Sequence, residues 1–163
     1  MEIKMALYLP RDAASVPVTR RVLDQCLETL GVTPDTRADI ALALGEACAN
    51  VVQHAGPGEE YQVQVSARNR RCVIEVVNAG HGTGTVRGGR RTGQERLGRS
   101  ALAGDLGPAT AEHGRGLKII DAVTDNMQLT GNERHGTTVH FEKTLDWLPG
   151  AVGPHLFNAD DLS

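Results

Sequence analysis

The sequence predicts one α/β domain, and three observations lead to this prediction. Apolar and polar residues alternate at residues 2–9 and 61–68, which is the pattern of strands with one solvated face. A β-branched run at 72–77 follows the polar turn 69–71, so the two runs predict an antiparallel hairpin. A nearly apolar helix at 34–54 separates the first strand from this hairpin, within a chain of 163 residues that is typical of one domain.

The helices of the first half have clear start and stop signals. Apolar positions at helical spacing predict a helix over 17–30, and Gly31 follows it as a C-terminal stop. Thr33 then stands as an N-cap, Pro34 as the first helical residue and Asp35 as an early acid that suits the helix dipole. These signals predict two helices joined by a short connection.

The second half contains a long loop followed by short elements. Residues 79–116 are rich in glycine and have almost no apolar periodicity, and such a loop in a small domain is usually functional or mobile. A helix is predicted over 116–123, directly behind Gly114-Arg115-Gly116. Residues from Pro149 onward show no pattern, so we expect a flexible tail at 146–163. The remaining strands are predicted at 127–130 and 137–143.

The composition argues against several classes of protein. Aromatic residues make up only 3% of the chain and the net charge is −3, which disfavours binding to single-stranded nucleic acid or to anionic surfaces. The sequence shows neither a signal-peptide pattern nor an apolar run long enough to span a membrane. Cys26, Cys48 and Cys72 are odd in number and far apart, which fits reduced thiols. We therefore expect a cytoplasmic protein without direct contact to nucleic acid or membrane.

The long predicted helix carries a polar strip. Glu46, Asn50 and His54 are spaced i, i+4, i+8, and at about 100° per residue they lie within a strip roughly 80° wide. A carboxylate one turn from a carboxamide oxygen suits an oxygen-preferring divalent cation and a proton-transfer site. The alternative interpretation is a helix whose solvent edge happens to be polar.

Three further short features combine polar groups with closely spaced glycines. The first is Asn78-Ala79-Gly80-His81-Gly82, at the end of a predicted strand. The second is His113-Gly114-Arg115-Gly116, at a predicted helix start where backbone N–H groups and the helix dipole favour phosphate. The third is Gly136-Thr137-Thr138, at the start of the last strand. Taken singly, each is explained more simply as a turn residue, a tight turn or a hairpin exit.

The order and spacing of these features resemble the histidine-kinase-like (GHKL) ATPase superfamily. Within it, EACANVVQHA, HGRGLKIIDAVTDNMQ and GTTVHFEK are most similar to the anti-sigma factor serine-protein kinases. The resemblance covers roughly residues 3–145. It implies a two-layer α/β sandwich with a mixed, mainly antiparallel sheet and helices on one face. The ATPase domain would be residues 1–145, with an ATP lid at 83–112.

The resemblance also implies a role for each matching residue, with ATP and Mg²⁺ as cofactors. Glu46 matches the general base and Asn50 the Mg²⁺ ligand. The residues expected at the adenine are Asn78, Gly80, Gly82 and Thr137, and those expected at the triphosphate are Gly114, Arg115, Gly116 and Leu117. His54 has no expected catalytic role and is interpreted as a hydrogen-bonded structural residue.

Asn78 departs from the family pattern, which has an aspartate that accepts a hydrogen bond from the adenine amino group. The amide keeps one acceptor oxygen but loses the charge and adds donors. Charge-assisted hydrogen bonds contribute about 1.5–3 kcal/mol, against about 1 kcal/mol for neutral ones. We therefore expect ATP to bind this chain about tenfold or more weakly than it would bind an aspartate version.

The resemblance implies an anti-sigma factor with serine-protein kinase activity. Such a protein sequesters a sigma factor in one state and phosphorylates a STAS-type antagonist on serine, in a partner switch. The alternative is a non-catalytic partner-switching module with a degenerate nucleotide site. A homodimer is compatible with the resemblance, but the sequence does not decide the oligomeric state.

Overall fold

The backbone folds into two layers, a five-stranded sheet and a layer of helices. The computed structural model describes residues 1–53, 60–78, 111–132 and 136–157. Every described helix is too short or too polar to be a transmembrane segment. The elements, in chain order, are β1 Glu2–Pro10, α1 Ser15–Leu30, α2 Pro34–Gln53, β2 Glu60–Arg68, β3 Arg71–Asn78, α3 Ala111–Val123, β4 Asn126–Asn132, β5 Gly136–Thr144 and α4 Gly153–Phe157.

The sheet has the strand order β1-β2-β3-β5-β4. All pairings between these strands are antiparallel, so the predicted two-layer fold is confirmed, while the parallel component of a mixed sheet is missing from the described strands. The hairpin predicted from the alternating patterns is the β2–β3 pair, which turns at Asn69 with φ 55°. Asparagine is one of the few residues besides glycine that adopt this left-handed conformation readily.

The core lies between one face of the sheet and helices α1, α2 and α3. Buried and less buried residues alternate along β2 and β3, because every second side chain points toward the helices. With few aromatic residues available, aliphatic side chains and alanine fill most of this space. The fully buried side chains include Ile40, Leu44, Tyr61, Val63, Ile74, Val76, Ile120, Val139, Phe141 and Leu145.

Lys143 fixes α2 and α3 to each other. Its ammonium group donates to Asp39 Oδ2 at 2.9 Å near the start of α2, and to the carbonyl oxygen of Val123 at 2.8 Å at the end of α3. A cation at a helix C-terminus is favourable, because the last carbonyl groups carry partial negative charge. The side chain is largely shielded from solvent, so this contact constrains how the two helices lie side by side.

A small polar network is buried where α1 meets the sheet. The hydroxyls of Ser15 and Tyr61 are 2.7 Å apart, and Thr19 Oγ1 donates to the Ser15 carbonyl at 2.8 Å. Burial raises the pKa of the neighbouring Cys48 thiol to about 12 and also raises the pKa of Tyr61. Cys72 is buried as well, with a pKa of about 12 for the same reason, whereas Cys26 is exposed on α1.

The segment after β5 packs on the domain through residue 157, in a region where the sequence pattern predicts a flexible tail. Trp147 forms a β-bridge with Val32, and the Thr33 N–H donates to the Asp146 carbonyl at 2.9 Å. Phe157 is 1% exposed, and its ring lies 5.8 Å from that of Trp147. Two isolated aromatic residues give no periodic signal, which explains the different prediction. Residues 158–163 lie outside the described ranges.

The second face of the sheet carries a histidine between two carboxylates. His140 Nδ1 lies 3.0 Å from Glu75 Oε1, and His140 Nε2 lies 3.2 Å from Glu142 Oε1. The hydrogen bond to Glu75 is the largest cause that raises the pKa of His140 above its ordinary 6.5. The same bond lowers the pKa of Glu75 below its ordinary 4.5. The charged pair of His140 and Glu75 therefore stabilises the folded chain most between pH 4.5 and pH 6.5.

This cluster predicts a pH dependence of stability. The contribution of His140 is complete below pH 6.5 and is lost as the pH rises through the raised pKa of the folded state. His140→Gln should therefore flatten the decline of the unfolding free energy above pH 6.5, as measured by urea denaturation across the pH range. His155→Gln, at an exposed histidine on α4, is the matched control and should keep the wild-type profile. Identical slopes in wild type and His140→Gln would contradict the prediction.

Candidate functional site

The facing sides of α2 and α3 around Glu46 and Gly116, called the crevice below, hold the first part of the candidate site. Glu46 and Asn50 lie half-buried on successive turns of α2, and i, i+4 residues share one side of a helix. Glu46 Oε2 is 3.0 Å from the position that a Cβ atom would take at Gly116. The structure thus brings two of the predicted site residues into contact. A side chain at position 116 would press on the Glu46 carboxylate, which would have to move by a few tenths of an ångström.

The start of α3 differs from the prediction. The sequence predicts a helix that begins at Gly116, but α3 begins at Ala111, so Gly114 and Gly116 are its fourth and sixth residues. Glycine costs only about 1 kcal/mol inside a helix, and packing can outweigh that cost. Leu117 and Ile120 supply this packing because both are buried in the core.

This shift changes which backbone groups are free at the helix start. The first N–H groups of a helix have no intrahelical partner, but the fourth helical residue already donates to the N-cap carbonyl, so the free N–H groups of α3 come before Gly114. Arg115 is exposed, whereas the Leu117 side chain belongs to the core. A role of Leu117 at a ligand would therefore involve its backbone. Gly116 lies beside the Glu46 carboxylate, and its role at the triphosphate stays a prediction.

The second part of the candidate site is a row of three residues across the sheet. Asn78 pairs with Tyr61 on one side and with Thr137 on the other. All three occupy the helix-facing positions of their strands, as the burial of Val76 and Val139 two residues away shows. The sequence predicted Asn78 and Thr137 for the site, and Tyr61 is their neighbour in the row, with its hydroxyl paired to Ser15.

The oxygen atom of the Asn78 side chain stands out within this row. Asn78 Oδ1 is buried and has no hydrogen-bond partner among the described residues. A buried acceptor without a partner costs about 1–3 kcal/mol, so such groups call for an explanation such as a ligand that donates to them. Asn78 is therefore a candidate ligand contact on structural grounds, independently of its place in a motif.

Several predicted residues lie outside the described ranges. They are His54, Gly80, Gly82 and most of the predicted lid, residues 83–110. The last two positions of the predicted lid, 111 and 112, belong to the first turn of α3.

The described residues fit a nucleotide that brings its own metal ion. They contain no group of three His, Cys, Asp or Glu side chains that could hold a metal ion unaided. Mg²⁺ is usually bound through one or two protein oxygens together with phosphates and waters. The Asn50 amide oxygen provides one such protein oxygen, while Asn78 provides an unsatisfied acceptor for a base.

Comparison with known proteins identifies the family of this chain. A sequence profile described as the histidine kinase-like ATPase domain matches residues 9–143, which include the described parts of both the crevice and the row. The chain belongs to this family. The match of the histidine kinase-like ATPase domain starts within β1 and ends at Lys143, the residue that joins α2 to α3.

Relatives and a solved structure resemble this histidine kinase-like ATPase domain along most of its length. Serine-protein kinase RsbW of Bacillus velezensis is 28% identical over 151 residues, covering 86% of this chain and 84% of that protein. Serine-protein kinase RsbW of Bacillus mycoides is 24% identical over 150 residues, covering 87% and 85%. The crystal structure of the RsbU and RsbW domains of Rv1364c from Mycobacterium tuberculosis shares the fold, with a TM-score of 0.61, 16% identity and 88% of this chain covered. This chain spans 32% of that longer one.

The two glycines of α3 in this histidine kinase-like ATPase domain predict different effects of alanine. A Cβ at Gly114 meets nothing within 4 Å, so Gly114→Ala should raise the unfolding free energy of the ligand-free protein by roughly 0.5–1 kcal/mol. A Cβ at Gly116 lies 3.0 Å from Glu46 Oε2 and must shift the carboxylate slightly, so Gly116→Ala should gain less than Gly114→Ala. Chemical denaturation measures both variants. An equal gain at the two positions would show that Glu46 does not constrain Gly116.

Proposed function

We propose that this chain is an ATP-dependent serine-protein kinase and anti-sigma factor that works by a partner switch. The observation that carries the proposal is the contact between the Glu46 carboxylate and Gly116, because it joins an acid–base group to a glycine-containing helix start. The family membership and the RsbW serine-protein kinase relatives support the same assignment. The sigma factor and the STAS-type antagonist are the partners that the proposal requires.

The site residues suit phosphoryl transfer by positioning. Bound ATP and Mg²⁺ would supply the phosphoryl group and neutralise its charge. Asn50 would offer its amide oxygen to the metal ion, and the free N–H groups at the start of α3 would hold phosphate oxygens. Glu46 Oε2 would accept the proton of the incoming serine hydroxyl, since an ionised carboxylate offers only acceptor atoms.

The groove between α1 and α2 is the surface that we assign to the antagonist. It has a volume of about 440 Å³ and is lined by Arg20 and Arg21, which form no ion pair with any described residue. The same two helices also expose apolar side chains, namely Val18, Val22 and Leu42. A positive, partly apolar groove suits an acidic protein surface.

The Arg20 side chain of the groove also reaches further along α2. It packs over Gly45, with its Cδ atom 3.2 Å from where a Cβ of Gly45 would lie. Glu46 points to another side of α2, toward α3, so the proposal requires the antagonist to extend beyond the groove to bring its serine to the carboxylate.

The alternative function is the non-catalytic module. Asn78 favours it, because a neutral amide binds adenine more weakly than a carboxylate.

Substitution of Glu46 tests the kinase proposal. Glu46→Gln should reduce phosphate transfer to the antagonist by about 10²-fold or more, because the general base is lost. Nucleotide affinity should change little, since the amide keeps the shape of the side chain. Asn50→Ala is the contrasting variant and should lose affinity for ATP in the presence of Mg²⁺. Transfer of labelled phosphate together with calorimetry measures both quantities. Wild-type transfer by Glu46→Gln would exclude Glu46 as the base, and no transfer by the wild type would favour the non-catalytic module.

Charge reversal in the groove tests the docking surface. Arg21→Glu should weaken antagonist binding by about tenfold or more, because it places a negative charge against an acidic partner. Arg68→Glu is the matched control, because Arg68 is exposed at the far end of β2 and lies outside the groove. Surface plasmon resonance at two salt concentrations measures both variants. Equal effects of the two reversals would indicate general electrostatics and not docking in the groove.

A further inference from the structure

We propose that the base site of this chain accepts 6-oxopurine nucleotides, such as inosine and guanosine triphosphates, about as well as ATP. The proposal rests on the proposed nucleotide site and adds the class of base that the site takes. It is argued from Asn78 and Thr137, because these two residues of the row supply its available polar groups, whereas the Tyr61 hydroxyl is paired with Ser15.

The row is electrically neutral. Asn78 is flanked across the strands by Tyr61 and Thr137, and the next helix-facing positions along β3 and β5 are Val76 and Val139. None of these side chains carries a carboxylate or a cation. An oxygen atom of a ligand is therefore not repelled by a fixed negative charge on any of these five residues.

The side chains of Asn78 and Thr137, which are paired across β3 and β5, can each donate and accept hydrogen bonds. The Asn78 amide has an acceptor oxygen and two N–H donors, and the Thr137 hydroxyl has one donor and two lone pairs. A carboxylate at position 78 could only accept. Asn78 and Thr137 can consequently form a hydrogen bond with either a donor or an acceptor atom of a base.

Adenine and the 6-oxopurines have opposite arrangements of hydrogen-bond donor and acceptor at C6 and N1. Adenine presents an amino donor at C6 beside the acceptor N1, whereas hypoxanthine and guanine present a carbonyl acceptor at C6 beside an N1–H donor. Asn78 Oδ1, now buried without a partner, can be satisfied by the amino group of adenine or by N1–H of a 6-oxopurine. Rotation of the amide by about 180° exchanges oxygen and nitrogen, so the C6 carbonyl also finds a donor.

Because these side chains can donate or accept, they discriminate weakly between adenine and the 6-oxopurines. Both edges make hydrogen bonds between neutral groups, which are similar in strength. We therefore expect the affinities for ATP and inosine triphosphate to differ by less than about fivefold. Inosine triphosphate is the decisive probe, because it has the 6-oxo edge of guanine without the additional 2-amino group, which tests the size of the site separately.

The experiment is calorimetric titration of the full chain with the Mg²⁺ complexes of ATP, inosine triphosphate, guanosine triphosphate and cytidine triphosphate. For the wild type we expect the first two to bind within about fivefold of each other. For Asn78→Asp we expect ATP to be preferred over inosine triphosphate by about tenfold or more, because the carboxylate accepts from adenine and repels the carbonyl. Gln64→Glu makes the same chemical change at an exposed position of β2 and should keep the wild-type ratio.

The outcomes separate this inference from the proposed function. A wild-type preference for ATP over inosine triphosphate of more than about fiftyfold overturns the inference and leaves the kinase proposal intact. Failure of all four nucleotides to bind overturns the proposed nucleotide site and this inference with it. The wild-type comparison needs no variant, so the test does not depend on the folding of Asn78→Asp.

Discussion

The close approach of α2 and α3 is the constraint on which the rest of the structure depends. Lys143 ties the start of α2 to the end of α3 through an ion pair and a carbonyl contact. Toward the opposite end of α3, Gly116 leaves room for the Glu46 carboxylate. Because both contacts involve the same two helices, the position of the acid is set by the packing of the core. A change in that packing would move Glu46 without altering any residue of the crevice.

The two parts of the candidate site come from different layers and have different electrostatics. The crevice belongs to the helices and contains an acid, an amide and a helix start, which are groups suited to metal ions, protons and phosphates. The row belongs to the sheet and is neutral, with an unsatisfied acceptor at Asn78. In the proposed function, phosphate transfer and the choice of base would therefore change independently, since a substitution in the row leaves the helix contacts in place.

The sequence predicted most of the fold because the strands alternate clearly and the helices carry strong boundary signals. Gly31 and Pro34 mark the connection between α1 and α2, and the polar turn after residue 68 marks the hairpin. Long-range packing was beyond this kind of inference. The start of α3 was placed at Gly116 because glycine suggests a boundary, although Leu117 and Ile120 hold the helix against the core. Trp147 and Phe157 make a tertiary contact that no local sequence pattern predicts. Tyr61 lies beside Asn78 only because of the strand register.

The burial of two of the three thiols has a practical consequence. Cys48 and Cys72 have little thiolate near neutral pH, because burial raises both pKa values to about 12. Cys26 is exposed on α1, the helix that forms one wall of the groove. A maleimide fluorophore should therefore attach selectively to Cys26 in the unaltered chain, and its emission would report in real time when another molecule settles beside that helix.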